Sequence, residues 1–462
     1  ACRRVVRIAF ASAALLACLA LEMPSALAAS DRIVSLPRDN VLVPDDDQMA
    51  GVVIVISDAD GWDVMEQVAL DAAALEGAIG VGVDLRTWRA ALSRETEREC
   101  LFLPADIERM ARELHRHHDA AFYRPPRVIG FGEGATLALA IAAQTPNASF
   151  AETIGETLAI DPTEAVALPK RLCTRASYRE TVRGHVYGLS PGALPNPVRI
   201  VLSASADPLG RAHAESLKAE HPQIVLTTSA GGPARALAVE AAALTGRLKP
   251  DDASLDLPLV EDIVTAAHDT LAIFYSGDGG WREIDQRIAA RLNGKGVPVI
   301  GVDALRYFWS EKTPETTAAD LSAIIAHYRK RLGVSKVVLI GYSFGANVLP
   351  KVYSLLPETD RQAVSLLSLL ALSHQADFEI VLGSWIGVSG PAGYGDPVEH
   401  LAAVEAAKIQ CVYGLEEQGS GCPALEPRVP QGVQLIARPG GHHFDENYER
   451  VADEILGRIS AR

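Results

Sequence analysis

Short apolar runs alternate with longer amphipathic stretches along most of this chain. The apolar runs are rich in β-branched residues, which predicts buried strands. They include residues 53–56, 198–202, 297–302 and 337–340. Residues 284–292 and 318–332 have the spacing of amphipathic helices. Because strands and helices alternate, the pattern predicts an α/β fold with mostly parallel sheets.

The same plan occurs twice in the sequence. VIVISDADGW at residues 53–62 resembles the segment ending SGDGGW at residues 276–281, and Trp281 lies 219 residues after Trp62. Asp303 likewise lies 219 residues after Asp84, whereas the later glycine-rich strands align at an offset of 211. The smaller offset predicts a modest loop insertion near Cys100 in the first half.

The segment VVLIGYSFGANVLP at residues 337–350 is an apolar strand, a Gly-Tyr-Ser-Phe-Gly turn and a helix-compatible stretch. This order predicts a nucleophile elbow, in which Ser343 is raised above the sheet on a strained turn between Gly341 and Gly345. The alternative is an ordinary glycine-rich turn. The acid and histidine candidates that follow in the chain order of hydrolase triads favour the elbow.

The first half lacks this chemistry. At the elbow it has Gly132 where the second half has Ser343, and residues 231–234 read GGPA where residues 440–443 read GGHH. The sequence therefore predicts two tandem α/β-hydrolase-like domains, of which the first lacks the triad. We place the domains at residues 31–247 and 262–462, joined by a polar linker at 248–261.

Two pairs of neighbouring residues are candidates for the acid and the base. Glu416 and Glu417 follow a predicted strand at residues 409–413, and Glu417 aligns with Asp207 of the first half. His442 and His443 lie about one hundred residues after the serine, at the third position of a triad. We favour Glu417 and His442, and leave Glu416 and His443 open. Solvated loop glutamates remain the alternative for the acid.

The loop at residues 276–281 follows the first parallel strand of the second half, where hydrolases place an oxyanion-binding loop. Its backbone N–H donors would be those of Gly277 or Asp278, together with that of Phe344 after the nucleophile. The alternative is a tight turn before a helix.

The first residues have the composition of a targeting segment. Arg3, Arg4 and Arg7 precede an apolar run at residues 8–21, and Ala-Leu-Ala at 26–28 suits cleavage. We expect a signal peptide at 1–28 and a periplasmic protein; a lipoprotein anchored at Cys18 fits less well. The net charge of −15 disfavours nucleic acid as a partner and suits a cationic ligand, although acidity also serves solubility alone.

Four cysteines remain after such a leader, an even number that suits an oxidising compartment. We predict disulfides between Cys411 and Cys422 and between Cys100 and Cys173. Neither pair has metal-ligand spacing, and the sequence predicts neither a metal nor a cofactor.

Three motifs resemble a known family. SGDGGW, DALRYFW followed by TPE, and GYSFGANVLP occur in this order and are similar to motifs of the bacterial VirJ and AcvB virulence proteins. The two-half layout matches the longer AcvB form. The resemblance implies a periplasmic α/β-hydrolase-like protein that cleaves lysyl-phosphatidylglycerol to lysine and phosphatidylglycerol, with links to type IV secretion. It implies Ser343 as nucleophile, partnered by Glu417 and the His442 pair.

On that substrate, Asp278 and Asp303 are candidates to bind the lysyl ammonium groups, although Asp84 opposite Asp303 also favours a structural role. Residues 307–309 form an aromatic run that suits either a membrane interface or core packing. Two other functions stay open. One is a non-catalytic binding partner of a secretion or envelope complex, and the other is an esterase or thioesterase for other exported acyl compounds.

Overall fold

Two seven-stranded sheets follow each other along the chain, and the predicted α/β fold is confirmed. The computed structural model describes residues 36–37, 40–44, 49–96, 98–145, 153–230, 232, 255–380 and 393–460. The predicted signal peptide lies outside these residues. Within them, no helix has the length and apolar character needed to cross a bilayer.

The first sheet has the strand order β1-β3-β2-β4-β5-β8-β9, with β1 antiparallel to β3 and the other strands parallel. A separate antiparallel hairpin, β6–β7, lies between β5 and β8 in the chain. The strands are β1 Asn40–Leu42, β2 Gly51–Ile56, β3 Ala78–Val83, β4 Arg127–Phe131, β5 Glu156–Ile160, β6 Tyr178–Thr181, β7 Gly184–Tyr187, β8 Val198–Leu202 and β9 Val225–Thr228. The helices are α1 Val64–Leu75, α2 Leu85–Leu92, α3 Leu103–His117, α4 Glu133–Ala142 and α5 Pro208–Glu220.

The second sheet repeats that order as β10-β12-β11-β13-β14-β15-β16, again with an antiparallel first strand. Its strands are β10 Leu259–Asp262, β11 Thr270–Tyr275, β12 Val299–Val302, β13 Lys336–Tyr342, β14 Val364–Leu370, β15 Ile409–Gly414 and β16 Gln434–Arg438. Its helices are α6 Glu283–Asn293, α7 Ala304–Tyr307, α8 Pro314–Leu332, α9 Phe344–Leu355, α10 Glu358–Ala363, α11 Pro397–His400 and α12 Tyr448–Ser460. Short 3-10 segments are Leu401–Ala403, Ala406–Lys408 and Cys422–Gln431.

The start of β10 falls inside the segment that we predicted as a linker. Residues 259–261 belong to the predicted linker, but residues 259–262 pair with β12 as an edge strand, where one side of the backbone faces solvent. Residues 233–254 lie outside the described ranges, so the predicted domain boundaries stay predictions.

The helix caps locate the length difference between the two halves. Asp84 and Asp303 cap α2 and α7 at an offset of 219, whereas Phe102 and Thr313 precede α3 and α8 at an offset of 211. The extra residues of the first half therefore lie between Asp84 and Phe102. This interval contains Cys100, near which the sequence predicts the insertion.

The aromatic run of the second half packs against the first half. Tyr307, Phe308 and Trp309 are all buried, with at most 2% of any of them exposed. The ring of Trp309 lies 5.0 Å from that of Tyr123, and the guanidinium of Arg116 lies 4.3 Å above it. The run is therefore core packing between the halves and does not form a membrane-facing surface.

Candidate active site

Ser343 lies between β13 and α9 in a backbone conformation that is rare for a residue with a side chain, with φ 51° and ψ −112°. The turn needs glycine on both sides. A Cβ on Gly341 would lie 2.5 Å from the carbonyl oxygen of Gly345, and one on Gly345 would lie 2.2 Å from that of Tyr275. The Ser343 N–H donates to the carbonyl of Leu370 on the adjacent strand at 2.8 Å. These contacts give Ser343 the geometry of a nucleophile elbow.

The imidazole of His442 connects the serine to a carboxylate. Its Nε2 lies 2.9 Å from the Oγ of Ser343, and its Nδ1 lies 2.6 Å from Oε1 of Glu417. A carboxylate on Nδ1 holds the proton on that nitrogen and leaves Nε2 able to accept the serine proton. Side-chain exposure is 45% for His442 and 11% for Glu417, so the base faces the solvent side and the acid lies beneath it.

The structure separates the two neighbouring glutamates. Glu416 is exposed, and its backbone N–H donates to the carbonyl of Gly440 in the histidine loop at 2.9 Å. Glu417 points inward. Its Oε2 is buried without a hydrogen-bond partner among the described residues, so its interaction with His442 is the one that its carboxylate makes there. Glu417 is therefore placed to orient the histidine, and Glu416 is not.

The acid loop is closed by a disulfide between Cys411, on β15, and Cys422. The Gly421 N–H donates to the carbonyl of Leu372 at 2.7 Å, which ties the far end of the loop to the segment after β14. The two cysteines are 11 positions apart in the sequence and Glu417 lies between them, so the disulfide limits the movement of the carboxylate. The first half contains the other predicted disulfide, between Cys100 and Cys173.

Tyr342, which sequence reasoning missed, connects the elbow with the histidine loop. Its hydroxyl lies 3.4 Å from the carbonyl oxygen of His442 and 3.2 Å from Nδ1 of His443, and its ring centroid lies 5.4 Å from that of His442. Burial raises the pKa of the Tyr342 hydroxyl, which keeps it a neutral donor. His443 therefore contacts the tyrosine, whereas His442 contacts the serine. The aligned residue in the first half is Phe131, so the repeat contained a signal for this hydroxyl.

The loop at 276–281 is held close to the elbow by its own backbone. The Gly345 N–H donates to the carbonyl of Ser276 at 3.2 Å, and the Gly280 N–H donates to that of Gly277 at 3.0 Å. The Oγ of Ser276 accepts the N–H of Ala304 at 2.9 Å. A Cβ on Gly277 would lie 3.6 Å from the Cβ of Ser343, so this loop borders the nucleophile directly.

In the first half, the carboxylate of Asp58 fills the space beside the elbow, next to Gly132, the residue that aligns with Ser343. Its Oδ1 accepts the backbone N–H groups of Ala59 and Glu133, both at 2.7 Å. A Cβ on Gly132 would lie 2.2 Å from this carboxylate. Two convergent N–H donors at the elbow thus bind a carboxylate oxygen, which carries the kind of negative charge that an oxyanion carries.

The alignment of the two halves predicts the corresponding two donors in the second half. The N–H groups of Asp278 and Phe344 correspond to those that bind the Asp58 carboxylate, and Gly277 corresponds to Asp58 itself. Gly277 is therefore the residue that leaves the space open. Of our three candidates, Asp278 and Phe344 therefore stay predicted donors, whereas Gly277 aligns with Asp58, which fills this space in the first half.

Asp303 is not placed to bind a substrate. It is 3% exposed, its Oδ1 accepts the N–H of Arg306 at 3.1 Å, and its carboxylate also accepts a backbone hydrogen bond from Trp281. Burial raises its pKa. The corresponding Asp84 accepts the Trp62 N–H in the same way, at 3.0 Å. Our prediction of Asp303 as a ligand-binding residue was therefore wrong, because this buried carboxylate caps α7 and accepts a hydrogen bond from the loop at 276–281.

Asp278, in contrast, is partly exposed, and among the described residues its carboxylate forms no hydrogen bond or ion pair. A partly exposed carboxylate in the loop that borders the nucleophile suits a cationic group on a ligand.

A second buried carboxyl, Asp285, lies under the same loop. Its Oδ2 accepts the Arg282 N–H at 2.8 Å, and its Oδ1 is buried without a partner within the described residues. Burial, followed by the nearby charge of Asp303, raises the pKa of Asp285 to about 8. Glu66 occupies the same position in the first half, with its pKa raised to about 7 mainly by burial. Sequence reasoning missed this pair.

Two cavities among the described residues lie away from this site. Their volumes are about 530 and 400 Å³, they flank the β6–β7 hairpin, and none of Ser343, Glu417 or His442 lines either of them. The site is therefore identified by its hydrogen-bonded side chains and not by cavity size. Across the described ranges, no group of three or more His, Cys, Asp or Glu side chains is arranged to hold a metal ion.

Residues 269–462 match the model of a family described as bacterial virulence protein (VirJ). A search of curated proteins found no match. Solved structures that match include Est1E from Butyrivibrio proteoclasticus with bound ferulic acid, at 15% identity, covering 44% of this chain and 95% of that one with a TM-score of 0.32. The Pyrococcus furiosus esterase Pf2001 matches at 13% identity, covering 42% and 82%, with a TM-score of 0.33.

A putative dienelactone hydrolase from Klebsiella pneumoniae matches at 15% identity, covering 46% of this chain and 93% of that one, with a TM-score of 0.32. At such identities and TM-scores, these matches carry no information about activity. The fold assignment rests on the two sheets of this chain.

Proposed function

Residues 269–462 of this chain belong to the VirJ family of bacterial virulence proteins, and on that premise we propose that the chain is a serine hydrolase. Its proposed substrate is lysyl-phosphatidylglycerol, whose aminoacyl ester it cleaves to lysine and phosphatidylglycerol. The observation that carries the proposal is the unbroken hydrogen-bond chain from Ser343 through His442 to Glu417.

The first chemical step is acylation of the serine. The Oγ of Ser343 attacks the ester carbonyl of the lysyl group, and Nε2 of His442 accepts the hydroxyl proton. The tetrahedral intermediate collapses as the bond to the lipid glycerol oxygen breaks. His442 returns its proton to that oxygen, phosphatidylglycerol leaves, and the lysyl group remains on Ser343 as an ester.

Water completes the cycle. His442 takes a proton from the water as it attacks the lysyl ester, and then returns a proton to the Oγ of Ser343 as lysine leaves. The carboxylate of Glu417 keeps the imidazole in one orientation through both steps and stabilises its charged form. No reactant beyond water and the ester is required.

The N–H groups of Asp278 and Phe344 supply the oxyanion hole in this proposal. The support comes from the first half, where the equivalent pair of N–H groups binds the Asp58 carboxylate. Two preorganised donors stabilise the negative charge that develops on the carbonyl oxygen in both tetrahedral intermediates.

The choice of a lysyl ester is supported by charge. A lysyl group on an ester carries two ammonium groups, and the partly exposed Asp278 belongs to the loop that borders the nucleophile. The chain as a whole has a net charge of −15, which favours the approach of a cationic headgroup. The family resemblance of the three motifs points to the same ester.

We also propose that the protein works in the periplasm, where its substrate lipid is accessible. The two disulfides, Cys100–Cys173 and Cys411–Cys422, support an oxidising compartment. Interaction with secretion-system proteins is part of the same proposal and rests on the family resemblance alone.

The experiment that tests the function incubates the purified chain with lysyl-phosphatidylglycerol in mixed micelles and measures free lysine and phosphatidylglycerol. Ser343→Ala, shown to be folded by its unfolding transition, is the matched control. We expect equal amounts of both products from the parent chain and none from the variant. Release of both products by Ser343→Ala would refute the serine mechanism. If the folded parent cleaves other esters or thioesters of a panel but not this lipid, the substrate is wrong; if it cleaves none, a binding role replaces catalysis.

A further inference from the structure

The β6–β7 hairpin of the first half ends in a turn whose composition the fold does not explain. Val182 and Arg183 join the two strands, and Val182 is fully exposed, with a relative exposure of 106%. Two-residue hairpin turns favour Gly, Asn and Asp, and a β-branched apolar side chain there neither packs nor helps the turn. A residue that departs from the preference of its turn and gains no packing contact in exchange is a candidate for function.

Hydrogen bonds fix the two strands of the hairpin to each other and to the rest of the first half. The His185 backbone exchanges two hydrogen bonds with Val166, both at 2.9 Å, and its ring Nδ1 lies 2.9 Å from the Tyr178 hydroxyl. The Tyr187 hydroxyl accepts the Leu172 N–H at 2.9 Å. Val182 is therefore presented by an ordered element, and little conformational freedom would be lost when its side chain is buried by a partner.

The chain segment that contains the hairpin is positively charged in an otherwise acidic protein. Residues 169–185 contain five Lys or Arg residues and one Glu, a local charge of +4 in a chain of net charge −15. Arg171, Arg175 and Arg183 are exposed, and none of them forms an ion pair within the described part of the chain. Arg179 alone in this segment pairs with an acidic side chain there, that of Glu164.

We propose that this hairpin docks the protein on an anionic phospholipid bilayer. Val182 would enter the interfacial layer with Arg183 beside it among the phosphate groups, and the exposed Arg171 and Arg175 of the same segment would add attraction at longer range. Charge complementarity favours a bilayer as the partner of this surface. Residues 169–185 form a cationic segment in an acidic chain, and a bilayer that contains phosphatidylglycerol is a continuous anionic surface. Beneath its headgroups lies an apolar layer that could bury the Val182 side chain.

This inference extends the proposed function and rests on it only for the choice of lipid. A hydrolase whose substrate stays in a bilayer has to meet that bilayer. The hairpin would supply a reversible attachment, which weakens as salt screens the arginines.

The test is co-sedimentation of the full chain with vesicles that contain no lysyl lipid. The parent chain is expected to bind mixed phosphatidylcholine–phosphatidylglycerol vesicles and to lose binding on phosphatidylcholine alone or at high salt. Arg183→Gln is expected to lower the partition coefficient about five-fold, which corresponds to one cation near an anionic surface. Val182→Asp is expected to lower it about ten-fold, because an apolar contact is replaced by a repelled charge.

Two control variants change the same chemistry elsewhere. Leu75→Asp replaces another exposed apolar residue, 85% exposed at the end of α1, and Lys330→Gln removes another exposed cation. Both are expected to bind as the parent does. Equal binding by Val182→Asp and the parent, or no binding to anionic vesicles at all, would overturn the inference. The cationic segment at residues 169–185 would then be assigned to contact with an acidic protein. Because sedimentation does not require Ser343, vesicle binding and hydrolysis fail independently.

Discussion

The carboxylate of Asp58 occupies the space that a side chain on Gly132 would need, since a Cβ there would lie 2.2 Å from it. Gly132 has φ 56° and ψ −121°, nearly the same backbone conformation as Ser343. The first half has thus kept the elbow while its own acid fills the anion site. Loss of the nucleophile and occupation of the donors go together.

This relationship predicts that a carboxylate at position 277 blocks the second site. In Gly277→Asp, the new side chain is expected to accept the N–H groups of Asp278 and Phe344, as Asp58 does in the first half. We expect kcat to fall at least about a hundred-fold, the usual cost of losing one oxyanion donor. Gly279→Asp adds the same charge two residues away, where a Cβ would meet the flexible Arg282 side chain at 3.4 Å. Similar loss in both variants would contradict the blocking mechanism.

The two glutamates are expected to differ sharply. Glu417→Gln keeps the size of the side chain but presents an amide to Nδ1 of His442, which favours the wrong tautomer. We expect kcat to fall by about a thousand-fold or more, because loss of a triad carboxylate has costs of this order. Glu416→Gln changes an exposed side chain and is expected to leave kcat near the parental value. Steady-state kinetics on a soluble ester measures both, and reversed effects would exchange their roles.

The Tyr342 hydroxyl is expected to position the base without taking part in the chemistry. Tyr342→Phe removes the contacts to the His442 carbonyl and to His443, and we expect kcat to fall about ten-fold with KM unchanged, from the loss of about one hydrogen bond. The pH profile of kcat should also shift, since the environment of the imidazole changes. Phe131→Tyr makes the reciprocal change in the first half and should alter neither property. A fall in thermal stability with unchanged kcat would show a purely structural role.

The buried carboxyl of Asp285 predicts a pH dependence of stability. Its pKa is raised from an ordinary 3.8 to about 8, chiefly by burial, so between these values the folded protein keeps a proton that the unfolded chain has released. Its contribution to stability therefore falls as pH rises through this window. Asp285→Asn does not titrate, and its free energy of unfolding relative to the parent should increase from about pH 5 to about pH 8.

Denaturant unfolding at the two pH values checks this prediction. Asp269→Asn is the control, because hydrogen bonds from Ser335 lower the pKa of this exposed acid and leave it ionised throughout the window. Its difference from the parent should be the same at both pH values. A constant difference for Asp285→Asn as well would contradict the proton linkage.

Sequence reasoning reached the parts of the molecule that periodicity and repetition encode. Apolar runs predict the strands, and the aligned Trp62 and Trp281 predict that both halves share one plan, which the identical strand orders confirm. The glycines around Ser343 predict an elbow because only glycine tolerates the close backbone approaches found there. These features depend on patterns that can be recognised in the sequence without tertiary contacts.

Side-chain direction in loops is not encoded in the same way. Adjacent residues such as Glu416 and Glu417 have equal chemistry, and only the tertiary contact with His442 separates them. The sequence left two roles open for Asp303 because a buried capping carboxylate and a ligand-binding carboxylate look alike in a sequence. The repeat favoured the structural role, since Asp84 performs the same capping role in a half without a nucleophile.

The most direct test of the catalytic proposal asks which atom of the chain is an activated nucleophile. The purified chain is treated with a fluorophosphonate, which phosphonylates serines whose proton is taken by a neighbouring base, and the modified peptide is mapped by mass spectrometry. We predict one phosphonate per chain, on Ser343, and its loss in folded His442→Ala. A folded chain that stays unmodified, or a phosphonate on another residue, would contradict the assignment of Ser343, His442 and Glu417 as a catalytic triad.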